Sequence, residues 1–156
     1  MQLVIAAPGR LQHPAAQAWA EDYLGRIARI VPVSRLTGRE AKRRKGGVDR
    51  QARHRESAAL LAGLPPGALK VALDVGGREM DSDTFLAWLR GCIEMGGPAI
   101  AFVIGGPDGH DPDVLAACDL ALSISPMVLP HELAEVVLLE QLYRALTRWK
   151  GLPYHR

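Results

Sequence analysis

Six consecutive residues, Ala99 to Ile104, are apolar without exception, and the chain then turns at Gly105-Gly106-Pro107-Asp108-Gly109. A strand with one wet face alternates apolar and polar residues, whereas a strand covered on both faces carries an unbroken apolar run. The run is far shorter than the roughly 18–20 residues a membrane-spanning helix requires. It therefore predicts a middle strand of a sheet that is clad with helices on both faces. The rest of the chain agrees. Gln2–Ala7, Pro32–Leu36, Lys70–Val75 (closed by Gly76-Gly77) and Leu120–Ile124 read as further strands. Between them lie a helix opened by Pro14, with Trp19, Tyr23, Ile27 and Ile30 as its apolar stripe, and a helix near Asp49–Ala62. A third helix is capped by Ser82 and buries Phe85, Leu86, Leu89 and Ile93, a short one begins at Asp111-Pro112, and a long one spans Pro130–Trp149. Strands alternating with helices predict an α/β fold, a mostly parallel sheet flanked by helices. No repeat or long linker divides the 156 residues, so one domain, 1–156, is expected.

Apolar residues make up 48% and charged residues 23%, the balance of a soluble globular chain. Met1–Gly9 lacks a basic lead and a long apolar run, so neither a signal peptide nor a membrane anchor is expected, and the location expected is cytoplasmic. Cys92 and Cys118 read as small core residues in a reducing compartment, and no zinc-ligand spacing is present, so no metal is expected. The net charge of +2 conceals a strong asymmetry. Segment 35–55 holds Arg35, Arg39, Lys42, Arg43, Arg44, Lys45, Arg50, Arg53 and Arg55 against Glu40 and Asp49, so the remainder of the chain is net acidic. Cation gathered in one segment points to a polyanionic partner; a solvated loop is the alternative.

Two loops next to strand ends carry the chemistry. Ile104–Gly109 has neither the Lys-Ser/Thr of a Walker loop nor the spacing of a dinucleotide fingerprint. Its place at the carboxyl end of a central strand is where open α/β sheets bind ligands. Asp74, ending the preceding strand, reads equally as a turn cap or a ligand contact. Ser123–Pro130 holds an apolar core between two prolines, which stiffens it. Backbone amides and apolar side chains suit a neutral planar ligand such as adenine better than a bare phosphate. His131, opening the last helix, reads as an exposed polar residue or a catalyst. Glu140, Arg144 and Arg148 are spaced for an ion-pair ladder. Leu133, Val136, Val137, Leu138, Leu139, Leu142, Tyr143 and Leu146 lie nearly all round this helix. Its second side therefore needs cover, and a second copy of the chain is expected to supply it.

Taken in order, Ile-Gly-Gly-Pro-Asp-Gly, Ser-Ile-Ser-Pro-Met-Val-Leu-Pro-His-Glu-Leu, Leu-Leu-Glu-Gln-Leu-Tyr-Arg-Ala and the final Pro-Tyr-His-Arg resemble the RlmH-type ribosomal RNA large subunit methyltransferases of the SPOUT class. The resemblance runs the length of the chain. It implies a trefoil knot in the C-terminal half, a homodimer, and S-adenosylmethionine bound by Leu73, Gly105, Ile124, Ser125, Pro126, Met127, Val128 and Leu129. It also implies methylation at N3 of a pseudouridine in 23S rRNA of the assembled ribosome. His131, Arg144, Tyr154 and His155 are the candidate catalytic groups: Arg144 to stabilise charge on the base, a histidine to take or relay the proton. Pro126 and Val128 stand where more polar residues are usual. Glu135 stands where the family carries arginine, an expected loss of a cation and of one salt bridge at an RNA- or dimer-facing surface. A non-catalytic ribosome-binding or assembly protein, and a SPOUT methyltransferase acting on another RNA, remain alternatives.

Overall fold

In the computed structural model, which describes residues 1–38 and 50–154, strands and helices alternate from end to end. The order is β1 (Gln2–Pro8), α1 (Pro14–Ala28), β2 (Val33–Gly38), α2 (Arg50–Ala62), β3 (Leu69–Glu79), α3 (Ser82–Glu94), β4 (Ala99–Ile104), α4 (Pro112–Ala116), β5 (Leu120–Ser123) and α5 (His131–Trp149). The sheet runs β2-β1-β4-β3-β5, and every pairing is parallel. β4 sits in the middle, Ile100 opposite Leu3 on one side and Leu69 on the other, and all six of its residues are buried. The apolar run thus marks the strand it predicts.

Side chains alternate between the two faces of β1 and β4. Leu3, Ile5, Ile100, Phe102 and Ile104 face a large core shared with Tyr23 and Ile27 of α1, Phe85 and Leu89 of α3, and Leu138, Leu139 and Leu142 of α5. Val4, Ala6, Ala99, Ala101 and Val103 face a thinner core under Leu60 of α2 and Leu64. Small residues on that face let α2 approach the sheet closely.

Several local expectations are corrected. Gly76-Gly77 does not end β3. The strand pairs with β5 at Leu73–Leu122, shifts register, and pairs again at Arg78–Leu122. Gly77 passes so near β5 that a Cβ there would lie 2.6 Å from the carbonyl carbon of Ala121. Only glycine fits at position 77, which marks a close approach of the two strands. Asp81, not Ser82, caps α3: its Oδ1 accepts from the Thr84 amide at 2.7 Å, while Ser82 Oγ donates to Gln141. Cys92 is buried on that helix while Leu86 and Ile93 are half-buried; Cys118 is also only half-buried, and both thiols are free. The α1 stripe turns slightly: Ala20, Tyr23 and Ile27 are buried, and Trp19 is 58% exposed.

Glu135 is the larger correction. It is buried, with 1% exposure, and forms a two-pronged pair with Arg35 of β2, Nε to Oε1 at 2.7 Å and Nη2 to Oε2 at 3.0 Å. The same guanidinium donates to the Gly9 carbonyl and to Thr37 Oγ1. Arg35 is therefore committed to the interior and withdrawn from any role as a phosphate ligand. The planar fork joins the ends of β1 and β2 to the first turns of α5.

His110, just after the glycine turn, is also buried, and its Nε2 lies 3.1 Å from the Val103 carbonyl. A carbonyl only accepts, so Nε2 carries the proton, and Nδ1 is left without a partner. Burial holds the imidazole below its ordinary range, against the opposing pull of the Asp74 charge.

Two expectations follow from these buried groups. Arg35→Ala strands a carboxylate in the core and lowers unfolding free energy by about 3–5 kcal/mol, read as a lower urea midpoint; Arg35→Met with Glu135→Met recovers most of the loss. For His110 the unfolded chain takes up a proton that the folded chain resists. Its share of stability is thus present at neutral pH and declines as pH falls below about 6.5. Urea titrations of the wild type against His110→Leu across mildly acidic pH should show that decline flattened in the variant; parallel curves would contradict it.

Candidate active site

Because all strands point the same way, the loops after β3, β4 and β5 gather at one edge of the sheet. There they enclose a cavity of about 560 Å³, within the usual range for a small-molecule site. Its walls include Leu73, Asp74 and Val75 from β3, Gly105, Gly106 and Gly109 after β4, Ile124, Ser125, Met127, Val128 and Leu129 after β5, and His131 and Ala134 from α5.

Each wall has a local cause. Gly109 adopts φ +74° and donates its amide to the Gly106 carbonyl at 2.9 Å, closing the turn. A Cβ on Gly105 would come within 3.0 Å of the Gly109 carbonyl carbon, so the turn folds back on bare backbone. After β5, Ser123 Oγ donates to the Ser125 carbonyl, and Ser125 Oγ accepts from the Met127 amide. Those bonds and the flanking prolines hold the loop while Met127 and Val128 stay largely exposed. Asp74 Oδ1 accepts from the Gly76 amide, so the residue caps its turn and also lines the cavity.

Seven of the eight residues carried over for a cofactor line this one cavity; Pro126 does not. His131 joins them. Arg144 and Tyr154 do not, because thirteen residues of helix at 1.5 Å each place Arg144 about 20 Å along α5 from His131. His155 lies outside the described residues. At the far end, Glu140 collects the polar groups. It accepts from Arg144 Nε at 2.9 Å and Nη2 at 2.5 Å, from Gln141, and from the Tyr154 hydroxyl at 3.3 Å. Tyr154 also meets the Tyr23 hydroxyl at 3.2 Å, stands edge-on to Tyr143, and lies under the Arg144 guanidinium. Burial, with Tyr23 and Glu140 nearby, raises the Tyr154 phenol well above its ordinary range. The expected ladder is only half formed, since Arg148 pairs with Asp83 of α3.

Two further residues escaped the sequence. Glu140 was seen only as a ladder member. Glu132 accepts from the Gln12 amide at 2.6 Å and the His13 amide at 2.9 Å, tying the β1–α1 loop to the first turn of α5. Burial pushes this carboxyl up; the two amides, with the imidazoles of His131 and His13, more than offset that and hold it below its usual range. No local pattern announces such a bond, whose partner is backbone 120 residues away.

Of the basic segment, Arg53 of α2 donates to the Asp108 carbonyl at 3.0 Å, placing α2 beside the glycine turn. Arg39, Lys42, Arg43, Arg44 and Lys45 lie outside the described residues. Among the described residues His54, Asp111 and Asp113 come close enough to share a cation, but Asp111 already caps α4 through the Asp113 amide. No helix among them is long and apolar enough to cross a membrane.

Residues 1–155 match the family model described as predicted SPOUT methyltransferase. The chain is 40% identical to the ribosomal RNA large subunit methyltransferase H of Sorangium cellulosum, over 99% of both chains. It is 40% identical to the protein of that name from Gemmatimonas aurantiaca over the full length of both. The relative of the same name from Solidesulfovibrio magneticus is 41% identical over 98% of this chain and 97% of its own. Five parallel strands, a cavity at their carboxyl edge and similarity over the whole length lead to one conclusion: the chain belongs to the SPOUT methyltransferase family.

Proposed function

We propose that the protein uses S-adenosylmethionine to methylate large-subunit ribosomal RNA, at N3 of a pseudouridine, in the cytoplasm. The observation that carries this reading is the single cavity onto which Leu73, Gly105, Ile124, Ser125, Met127, Val128 and Leu129 converge. The fit to an adenosyl group rests on its walls. They are mostly apolar side chains and loop backbone, with Asp74, Ser125 and His131 as polar groups and no lysine or arginine. Bound there, the cofactor supplies an already activated methyl group. The chain's own residues then need only hold the base in line within about 3–3.5 Å and manage one proton.

Arg144, fixed by Glu140, is the group to face negative charge developing on the base. Tyr154, with its raised phenol, keeps its proton at neutral pH and acts as a donor. The proton from N3 goes to a histidine, His131 or His155. Because Arg144 and Tyr154 stand about 20 Å along α5 from the cavity, a homodimer would have to bring one protomer's Arg144 end to its partner's cavity. The exposed Trp19 beside Tyr23, and Leu133 on α5, supply apolar surface for that contact. The knotted threading that the family resemblance implies is part of the same reading.

Mass mapping of rRNA from a deletion strain tests the substrate: a pseudouridine lacking its methyl, restored by the wild-type gene, is expected, and unchanged rRNA would defeat the proposal. The shared site has its own test. Gly105→Arg wedges open the glycine turn that walls the cavity and Arg144→Ala removes the charge, so each homodimer should lose most of its activity. In a purified mixed dimer one cavity receives both defects and the other neither, so roughly half the activity should return by simple counting. A folded mixed dimer that stays inactive would rule out sharing.

A further inference from the structure

The β1–α1 loop, residues 9–13, is held against the cavity at both ends. At its start Pro8 packs on the glycine turn, its Cγ 3.4 Å from where a Cβ of Gly106 would stand. At its end the amides of Gln12 and His13 are gripped by Glu132, the neighbour of His131. Gly106 and His131 both line the cavity. Four residues of chain span at most about 14 Å, so the loop cannot leave the rim between these anchors.

The acids near that rim are each engaged by the protein, Asp74 by the Gly76 amide. Glu132 and Glu135 would oppose a polyanion, but two amides satisfy the first and Arg35 neutralises the second. Gln12 Nε2 is turned back onto the Arg10 carbonyl, and His13 Nδ1 caps α1. Arg10 is different: its side chain is exposed and, among the described residues, has no hydrogen bond or ion pair. A loop tethered at both ends beside a largely apolar cavity, carrying one uncommitted guanidinium, fits a nucleotide whose base enters and whose phosphate stays outside.

We infer that the β1–α1 loop is an RNA contact separate from the basic segment, in which Arg10 binds a phosphate next to the reacting nucleotide and Glu132 is the positioning residue that fixes the loop. The inference rests on the ribosomal RNA reading above.

Binding of the full-length protein to 70S ribosomes is measured against salt for wild type, Arg10→Ala, Glu132→Gln and the double variant, with S-adenosylmethionine affinity by calorimetry as the control. Arg10→Ala should lower the slope of log K against log salt by about 0.7–0.9, at unchanged cofactor affinity. Glu132→Gln should raise KM for ribosomes more than it lowers kcat. In the Arg10→Ala background it should add little, because both act through one loop. An unchanged salt slope in Arg10→Ala would overturn the contact. A Glu132→Gln protein that loses cofactor affinity, or that adds its full effect to Arg10→Ala, would reduce Glu132 to a structural brace. A wild-type protein that does not bind ribosomes at all would defeat the ribosomal RNA reading itself, and the loop contact with it.

Discussion

β4 has a strand on each side and helices over both faces, and none of its side chains reaches water. Each of its backbone groups must be paired within the sheet, and each side chain must be met by a helix. The surrounding α/β layering answers that requirement. The chain can leave such a strand only at its carboxyl end, and here it leaves through glycines that fold back on themselves. The neighbours run parallel, so their loops emerge at the same edge. The cavity follows from the way the central strand is buried, and the loop side chains only shape it.

Charge is managed differently on the two sides of that edge. The first two turns of α5 carry Glu132 and Glu135, an arrangement hostile to nucleic acid if left bare. The protein turns both inward, one onto backbone amides and the other onto Arg35, and gains two tethers in doing so. At the opposite end Glu140 holds Arg144 and Tyr154 together in a partly buried knot of hydrogen bonds and rings. A carboxylate at each place orders a group of opposite character: a loop backbone near the cavity, a cation and a phenol far from it.

The elements legible in the sequence were those fixed by local physics. β4 was read to the residue, because burial on both faces leaves an unbroken apolar run. Glycine and proline mark the two loops that wall the cavity, and it is the family resemblance that names the residues, seven of which line it. What was misread depended on contacts distant in sequence. Gly76-Gly77 looks like a terminator unless β3 is known to resume its pairing with β5 beyond it. Glu135 looks like a surface acid unless Arg35 is known to lie opposite. Trp19 fits the apolar stripe of α1 by spacing, yet the helix turns it outward in the single chain. Arg144 and His131 share a helix, and only its length shows that they do not meet within one protomer.

The close approach at Gly77 also bears on how the chain folds. Strands β3 and β5 pair residues about fifty positions apart, and β1 and β4 nearly twice that, so much of the sheet forms by closing long loops. Topologies of that kind fold slowly, because loop entropy is lost before pairing compensates for it. β5 must settle against β3 where a single methyl would obstruct it. The missing side chain at position 77 sets the clearance within which β5, and the cavity-lining loop that follows it, must seat against β3.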